Sequence, residues 1–567
     1  MPHLALLLLM LQLGQATQGS VWQAAPAPGV ADSLRDLSQA RSAQASFERS
    51  RRALLPRGSS SAGRCDVRLG RYCWWYDERM PTFPPESELI GRRRAQLLEE
   101  LDRTGARYPG DDWLAGMRVH YRIDGRNPEG ADSVARTCRA TAWWCGALVG
   151  YAAHARGQAL AADSAFSFAI AAMPRDVSCT WRSITPLLED DERSAFEHVS
   201  CEARADLERR YWLLSRPQFA TSANEWRNEF NARRVLVWLG ERAATPHLLT
   251  WGADAAELVL RYGWPIAWSR VETTGLAGSD PSIVGHDPSP SFAFAPARAF
   301  ADSMKFLPAD AWEPGAPRAA SRYAPRLVRR VAGVAAQVAR FRRGDSTLVV
   351  AAFSAVDDSL RAPVAVLGAA TRDGAVGISA PDTVRAGVAR VILAGAPFVV
   401  GVDLADTSTR TLARMRLAYV APTGGVRLGL SDLLLYRAGA QPATSLDSAL
   451  SGAIRGDTVT RNRPLGLFWE TYGLAAEGES VDLSVSVERV DHGWIRSTRQ
   501  RLGLTPVDTP IRIRWTDARP PADRAAAHAV SLDLANLDAG RYRVTLTLAP
   551  LGGEPVSTSR EIGLIDP

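Results

Sequence analysis

The chain has 567 residues and a formal net charge of +6, with 46% hydrophobic and 23% charged residues. This length exceeds what one hydrophobic core supports, so the chain is expected to fold as several domains. The composition excludes a disordered or fibrous protein. The positive charge is carried by arginine, since Lys305 is the only lysine. Because these charges form no clustered basic motif, nucleic acid is not an expected partner.

The N-terminal residues 1–19 are predicted to be a signal peptide. Leu4 to Leu13 is an apolar run interrupted only by Gln12, too short for a membrane helix of about 20 residues. Small residues suited to a cleavage site follow it, at Gly14, Ala16, Thr17 and Gly19. No later segment has the length and hydropathy of a membrane helix. The sequence therefore predicts an exported protein, periplasmic or extracellular, with no transmembrane segment after cleavage.

The cysteines agree with export, because an even number in an exported chain indicates disulfides. No Cys-x2-Cys pair is present, so a zinc site is not expected. Sequence alone does not select a pairing, and local spacing favours sequential pairs. The six residues are Cys65, Cys73, Cys138, Cys145, Cys179 and Cys201.

One of these pairs carries a geometric condition. Cys138 and Cys145 are seven residues apart, which spans about 10.5 Å in a continuous helix. A disulfide requires Cα atoms within about 7 Å. If these two cysteines pair, the helix must break between them.

Composition shifts divide the rest of the chain into six parts. The first of these parts is expected to contain a helix around Val30 to Leu54. Much later in the chain, the Arg-Gly-Asp of residues 343–345 predicts a hairpin turn. The predicted parts are a flexible or partly helical linker at 20–62, a disulfide loop at 63–85, a helical region at 86–219, a small α/β domain at 220–320, and two β-sandwich domains at 321–438 and 446–567.

The helical region contains a pattern similar to the tetratricopeptide repeat. Gly150 is followed by Ala162, Phe166 and Ala169 at the consensus spacing, and then by Pro174, while Ala153 stands where the consensus has Tyr. The same register places Cys145 at the start of the first repeat helix and Cys138 in the preceding turn. The pattern predicts a short array of helical hairpins.

The stretch Thr250-Trp251-Gly252-Ala253-Asp254, followed by Tyr262-Gly263-Trp264-Pro265, resembles the signature of the GWxTD family of bacterial exported proteins. Trp251, Asp254, Tyr262, Gly263 and Pro265 agree with the family motif. Thr250 and Ala253 stand where the family has Gly and Thr. The resemblance implies a GWxTD-like domain at 220–320 followed by β-sandwich-like domains, and we expect residues 257–262 to form a buried strand.

The C-terminal half alternates apolar and polar residues, which is typical of half-buried strands. Short alternating segments separated by Gly, Pro and Asp predict two antiparallel, immunoglobulin-like sandwiches. The clearest alternations are Met415-Leu417-Tyr419, Val481-Leu483-Val485-Val487, Ile511-Ile513-Trp515 and Tyr542-Val544-Leu546-Leu548.

The sequence offers one weak candidate for a chemical site. A histidine beside carboxylates can act as an acid–base pair, but the structural interpretation is favoured, with Asp254 accepting backbone N–H groups as the cap of a helix or turn. No nucleophile elbow, zinc-protease helix or phosphate loop is present, and neither a metal nor a cofactor is implied. The candidate residues are Asp254, Arg261, Asp280, His286 and Asp287.

These observations favour a non-catalytic exported scaffold or protein-interaction protein of the bacterial envelope. Its expected partner is an envelope or extracellular protein, or a polysaccharide. One alternative is an envelope hydrolase with its site in the GWxTD-like domain. Another is carbohydrate binding by exposed tryptophans, with the doublets Trp74-Trp75 and Trp143-Trp144 as candidates.

Overall fold

A computed structural model describes most of the chain. The predicted signal peptide, Cys65, Trp75, Asp280 and Asp287 lie outside the described residues. The described ranges are 28–56, 67–70, 72–74, 86–271, 282–286, 290–296, 306–307, 309–312, 315, 320–419, 429–473, 480–490, 511–518, 525–550 and 554–567.

The N-terminal half is helical, as predicted. Short polar residues start several helices by accepting backbone N–H groups: Asp111 accepts from Leu114 at 2.8 Å and Asn127 from Gly130 at 2.9 Å. The helices are α1 (Pro28–Ala53), α2 (Glu88–Arg107), α3 (Asp112–Asp124), α4 (Pro128–Arg136), α5 (Ala142–Ala155), α6 (Ala159–Ala172), α7 (Arg175–Arg182), α8 (Asp190–Glu197), α9 (Cys201–Leu214), α10 (Glu225–Gly240) and α11 (Ala253–Tyr262).

Neighbouring helices from α2 to α6 pack in sequence around one core that includes Leu101, Trp144 and Phe166. Helix α1 joins this core through Ala40 and Phe47. The helix expected near Val30 to Leu54 is therefore present, but it is packed and is not part of a linker. None of the helices in the described ranges is long and apolar enough to cross a bilayer.

Two disulfides follow the sequential pairing that spacing favoured. Cys138 pairs with Cys145 across a Cα–Cα distance of 5.6 Å, and Cys179 pairs with Cys201 across 5.9 Å. Helix α4 ends at Arg136 and α5 begins at Ala142, so the helix break required between Cys138 and Cys145 is present. The expected third pair includes Cys65, which is outside the described residues.

The strand expected at residues 257–262 is wrong, because this segment is the second half of α11. A short apolar run does not distinguish a strand from a buried helix. Leu258 and Tyr262 lie one turn apart and are both buried, which is the helical spacing. The helix ends at Gly263, whose φ of +88° is readily adopted only by glycine.

Two short strands follow α11, β3 (Ala267–Val271) and β4 (Ser282–His286). Earlier in the chain, β1 (Val67–Leu69) and β2 (Tyr72–Trp74) form a hairpin before α2.

The first β unit comprises residues 320–419 and strand β5. The strands pair in the order β10-β8-β12-β13-β6-β7-β11, with β5 on β13 and β9 on β8. The turn predicted between β6 and β7 is confirmed, with Gly344 at φ +61°. The strands are β5 (Phe306–Leu307), β6 (Arg330–Arg343), β7 (Ser346–Ala355), β8 (Val364–Ala370), β9 (Val376–Ile378), β10 (Asp382–Thr383), β11 (Ala386–Ala394), β12 (Val399–Asp406) and β13 (Thr411–Tyr419).

The second β unit comprises the described residues of 429–567. Strands β14, β15 and β20 pair with β17, and a second sheet has the order β16-β22-β21-β18-β19. Buried residues of both sheets form one core. The elements are β14 (Gly429–Leu430), β15 (Leu434–Arg437), α12 (Leu446–Ser451), β16 (Thr458–Thr460), β17 (Leu465–Tyr472), β18 (Ser480–Arg489), β19 (Ile511–Ala518), β20 (Ala526–Leu532), β21 (Gly540–Pro550) and β22 (Val556–Ile565).

Two details of the predicted β domains are corrected. The sheets are mixed and not purely antiparallel, because β6 pairs with β13 in parallel and β16 with β22 in parallel. The boundary at residues 438–446 is also wrong, since β14 and β15 pair with β17. The Gly- and Pro-containing stretch 438–445 is therefore a connection within the second unit, leading into α12.

The two β units share an interface. Phe341 of β6 packs with Tyr436 and Phe468 in one buried cluster. The Gln337 amide donates to the carbonyl of Leu435 at 2.7 Å and accepts its N–H at 3.0 Å. A side chain of β6 thus satisfies the backbone of a strand in the other unit, which fixes the two units relative to each other.

The segment after α9 joins the helical region to the first β unit. Phe219 is fully buried, and its backbone N–H donates to Asp403 at 2.5 Å. Asp403 also pairs with Arg416 at 2.7 Å, and the Arg416 guanidinium lies over the Phe219 ring. Glycine at position 368 is required here, because a Cβ at that position would collide with the Phe219 ring.

Candidate functional site

Trp251, the aromatic residue of the motif, is half-buried between α10 and α11. Its ring lies against Gly240, where a Cβ would collide with it, and stacks on Trp264 with ring centroids 6.4 Å apart. One face of the Trp251 ring therefore packs closely against its neighbours, while part of the Trp251 surface stays exposed to solvent.

Asp254 is the second residue of α11, and the N-cap position is Gly252, so the carboxylate lies in the first turn and does not occupy the capping position. Its Oδ1 accepts the backbone N–H of Ala255 at 2.9 Å, which is favourable at a helix N-terminus. Its side chain also lies against Gly70, the left-handed turn residue of the β1–β2 hairpin. Tyr72 of the same hairpin donates to the carbonyl of Thr250. The motif thus holds this hairpin against α11.

The remaining motif residues form a helix end and a turn. Tyr262 is buried beside Leu258. Arg233 of α10 donates to the carbonyl of Leu260 at 3.1 Å and lies close to Gly263. Pro265 packs against Gly285 of β4, where a Cβ would crowd it. These contacts support structural roles for Tyr262, Gly263 and Pro265.

The predicted acid–base candidates have separate partners. Arg261 pairs with Glu257 at 2.8 Å, and Glu257 also pairs with Arg193. His286, which is 9% exposed, has its Nε2 at 2.7 Å from the Ser269 hydroxyl. Since Asp280 and Asp287 lie outside the described residues, a histidine–carboxylate pair at this site remains a prediction.

The Ser269–His286 contact is a feature that no sequence motif indicated. In the β3–β4 ladder Ala267 lies opposite His286, and Ser269 lies two residues along the same face. This diagonal arrangement is common between antiparallel strands. A serine hydroxyl beside a histidine nitrogen is also the arrangement of a nucleophile and its base, but Ser269 is only 4% exposed.

Next to Trp251 is a narrow cavity of about 50 Å³. It is bounded by α1, α3, α10 and the loop before α11, and its walls are mostly apolar. Such a volume accommodates a few water molecules or one small group. Its walls include Met117, His120, Leu236, Leu239, Trp251 and Trp264.

Behind this cavity, α1 binds the loop that leads to the motif. Gln44 accepts the N–H of Ala244 at 3.0 Å and donates to its carbonyl at 2.6 Å. Glu48, one helical turn later, accepts the N–H of His247 at 2.8 Å and the hydroxyl of Tyr121 at 2.7 Å. Two side chains of α1 therefore replace the regular backbone partners that this loop lacks.

The loop itself is strained. His247 and Leu248 have φ values of 56° and 50°, a region that non-glycine residues adopt at a cost of order 1–3 kcal/mol. Neither ring nitrogen of His247 has a hydrogen-bond partner within the described part of the chain, and the residue is 3% exposed. Burial, and then the nearby Arg51, lower the pKa of His247 to about 3, so its ring is neutral at physiological pH.

Glu48 is the most perturbed acid of this cluster. Burial raises its pKa to about 7, although Arg51, Tyr121 and the His247 N–H favour the ionised form. Arg51 is shared, because its guanidinium also pairs with Asp124 at 2.9 Å. The Glu48 carboxyl therefore gains or loses its proton near neutral pH.

A separate surface feature lies on α6. Leu160 is 59% exposed and Phe168 is 58% exposed, while Ser164, Ser167 and Ala171 are exposed on the same helix. The opposite face, with Ala162, Phe166 and Ala169, is buried. The single charged residue of α6, Asp163, is turned toward Arg227 and pairs with it at 2.5 Å. The exposed face of α6 is therefore uncharged and partly apolar.

The tryptophan doublets differ in what the structure describes. Trp143 is 8% exposed and Trp144 is fully buried, with its indole N–H donating to the carbonyl of Asp112 at 2.8 Å. Neither ring is available as a sugar platform. The side chains of Trp74 and Trp75 lie outside the described residues.

Comparison with known proteins identifies no family. No protein-family model matches the chain, and no curated protein does. Three solved structures align weakly: a Bacteroides uniformis β-glucuronidase (10% identity, 38% of this chain and 26% of that chain, TM-score 0.15), a red sea bream transglutaminase (11%, 56% and 43%, TM-score 0.14) and the Enterococcus faecalis MSCRAMM ACE (7%, 41% and 94%, TM-score 0.09).

These alignments carry no argument about fold or function, because each TM-score is far below that of a shared fold. The chain spans only 26% of the glucuronidase and 43% of the transglutaminase. Membership of the GWxTD family remains a prediction from the motif residues.

Replacing Glu48 with glutamine tests the buried acid. The folded state raises the pKa of Glu48 from its ordinary value of 4.5 to about 7. Stability from this group is therefore fully present below pH 4.5 and is lost as pH rises through about 7. Glutamine stays neutral at every pH. As pH rises from 5 to 9, the difference in free energy of unfolding between Glu48→Gln and the parent should therefore shift by about 3 kcal/mol in favour of the variant.

The measurement is denaturant unfolding of both proteins across that pH range. Glu88→Gln is the matched control, because the Glu88 side chain is 94% exposed, and it should show no pH-dependent gain. A constant difference between Glu48→Gln and the parent at all pH values would contradict the account.

Proposed function

We propose that this protein is a non-catalytic, exported interaction protein of the bacterial envelope. The observation that carries the proposal is the exposed, uncharged face of α6. The apolar segment at residues 4–13 and the two disulfides support export. Its partner is an envelope or extracellular protein.

The α6 face has the composition of a binding surface. Phe168 is an exposed aromatic residue, and aromatic residues are enriched at protein–protein interfaces. Leu160, Ser164, Ser167 and Ala171 follow the spacing of one helical face, and Phe168 borders it. Small residues around Phe168 leave room for a partner to pack closely. Burial of such a side chain contributes about 1.5–3 kcal/mol.

The surroundings of α6 support the proposal of a tetratricopeptide-like array. Ala162, Phe166 and Ala169 are the buried residues of α6, and they are the positions that match the repeat consensus. The Phe166 ring packs on Gly150 of α5, where a Cβ would collide with it. Within this proposal α5 and α6 are the two helices of one repeat, and α6 presents its outer face.

The β units complete the proposed architecture. We assign them as two immunoglobulin-like sandwiches that follow a GWxTD-like domain. In the second unit, two sheets that share one core support this assignment. In the first unit, buried residues of β7 and β11 share a core with those of β8 and β12. The Phe219 junction and the Gln337 contact bind the parts to one another, so the β units act as a rigid spacer that holds the helical array at a fixed orientation.

A photo-cross-linking residue at position 168 tests the proposed surface. With p-benzoylphenylalanine in place of Phe168, irradiation of the cells that naturally produce the protein should give a discrete adduct with one envelope or extracellular protein. The matched control carries the same residue at Arg103 of α2, whose side chain is 63% exposed. The Phe168→Asp chain, which carries no cross-linking residue, should no longer co-purify with that partner. Equal cross-linking at positions 168 and 103 would contradict the proposal.

The second candidate function is an envelope hydrolase, and the Ser269–His286 contact is the observation that favours it. The serine would act as the nucleophile and the histidine as its base. Because Ser269 is 4% exposed, a substrate would reach it only after β3 and β4 separate locally from their surroundings.

A fluorophosphonate probe distinguishes the two functions, because it labels activated serines covalently. The interaction-protein proposal predicts no labelling of the folded protein at Ser269. Labelling that disappears in both Ser269→Ala and His286→Gln, with Ser408→Ala as the control, would establish the hydrolase alternative and overturn the proposal.

A further inference from the structure

The disulfide between Cys179 and Cys201 differs chemically from the other described disulfide. Cys201 is the first residue of α9, a helix of 14 residues with Ser200 as its N-cap. A helix N-terminus favours negative charge, because unpaired N–H groups and the helix dipole point toward it. A sulfur at this position is stabilised as a thiolate.

A second, independent contact acts on the same sulfur. The guanidinium of Arg182, the last residue of α7, lies 3.7 Å from the Cys201 sulfur. A neighbouring arginine lowers the pKa of a cysteine thiol for the same electrostatic reason. Both sulfur-bearing residues are half-buried, so the bond lies close to solvent.

Charged side chains of α7, α9 and α10 interact with Arg182 or with the start of α9. Arg182 also pairs with Glu208 at 3.3 Å, and burial raises the pKa of Glu208 to about 7, which reduces its negative charge near neutral pH. Glu202, the residue after Cys201, pairs with Arg175 of α7. Arg204 of α9 and Arg234 of α10 act electrostatically on the same Glu208 carboxyl and favour its ionised form.

The Cys138–Cys145 disulfide has neither feature. Cys145 is the fourth residue of α5, and its N–H already donates to the carbonyl of Thr141 at 2.9 Å. Across the residues that the structure describes, no guanidinium donates to either of its sulfurs. The same chain therefore contains its own reference disulfide.

We propose that the Cys179–Cys201 disulfide is a site of thiol–disulfide exchange with a dithiol reductant, in which Cys201 is the leaving thiolate. A thiolate of the reductant attacks the Cys179 sulfur, the S–S bond breaks, and its electron pair leaves on Cys201. The second thiol of the reductant then attacks the mixed disulfide and releases Cys179. The reductant loses two electrons and becomes a disulfide, and the chain gains two thiols.

Reduction at this site reaches the motif region. The disulfide closes a segment of 22 residues, in which Leu187, Leu188 and Phe196 are buried together with Val259 and Leu260 of α11. Opening the bond removes the covalent link between α7 and α9 that holds this segment. The exchange site therefore controls how firmly one side of α11 is packed.

Redox equilibration of the intact, folded protein tests the proposal. The protein is equilibrated in mixtures of reduced and oxidised dithiothreitol, quenched with acid and alkylated, and each cysteine is quantified by peptide mass spectrometry. Cys179 and Cys201 should become reduced at a dithiol-to-disulfide ratio at least about tenfold lower than Cys138 and Cys145. Simultaneous reduction, or earlier reduction of Cys138–Cys145, would overturn the proposal.

A second measurement isolates the role of Arg182. In Cys179→Ser, where Cys201 is a free thiol, the rate of iodoacetamide alkylation is followed against pH. Its midpoint should lie below the ordinary cysteine value of about 8.5, and Arg182→Gln in the same background should slow alkylation at pH 7 several-fold, whereas Arg182→Lys should retain most of the rate.

Folding of each variant is checked by circular dichroism. If the Arg182→Gln chain does not fold, the midpoint of Cys179→Ser alone decides, and a midpoint at or above 8.5 contradicts the proposal.

Discussion

The arrangement of this protein depends on the burial of Phe219 against the first β unit. The ring occupies space over Gly368 that no other amino acid would leave free, and its N–H donates to Asp403. Asp403 and Arg416 are both almost completely buried and pair at 2.7 Å, with Arg416 also donating to the carbonyl of Pro217 at 3.2 Å. Removing one partner of such a pair leaves an uncompensated buried charge. The junction is therefore sensitive to the identity of each residue.

This constraint connects the helical array to everything that follows it. Trp226 of α10 stacks on Tyr323 at the start of the first β unit, with ring centroids 5.3 Å apart, so the contact surface extends beyond Phe219. On the other side, Gln337 and Phe341 bind the second β unit to the first. A surface on α6 is thus presented at a defined position relative to both β units, which is the property expected of a scaffold.

Sequence reasoning worked where a local pattern decides the structure. The alternation Val481-Leu483-Val485-Val487 lies on β18 with all four side chains buried, because a strand repeats every two residues. Pairing of Cys138 with Cys145 required a helix break between them, and the break is present between α4 and α5. The run at 257–262 was assigned to the wrong element, since its apolar residues fit either a strand or a buried helix and only tertiary packing decides between them.

Features that join distant residues were not accessible in this way. Phe219 and Asp403 are separated by 184 residues, and neither lies in a recognisable motif. The pairing of β15 with β17 depends on how strands meet in space, so a Gly- and Pro-containing connection at 438–445 was mistaken for a domain boundary. Likewise, the hydrogen bonds from Gln44 and Glu48 to the loop before Trp251 join α1 to a segment about 200 residues away.

The most direct test of the account is whether the helical region and the first β unit open together. Native-state hydrogen exchange in increasing denaturant should give amides of α5 and of β12 the same limiting free energy of opening in the parent protein. Gly368→Val, which displaces Phe219, should separate the two values, whereas Gly333→Val, where a Cβ meets open space, should leave them equal. Different values in the parent, or equal values in Gly368→Val, would contradict the central role of this junction.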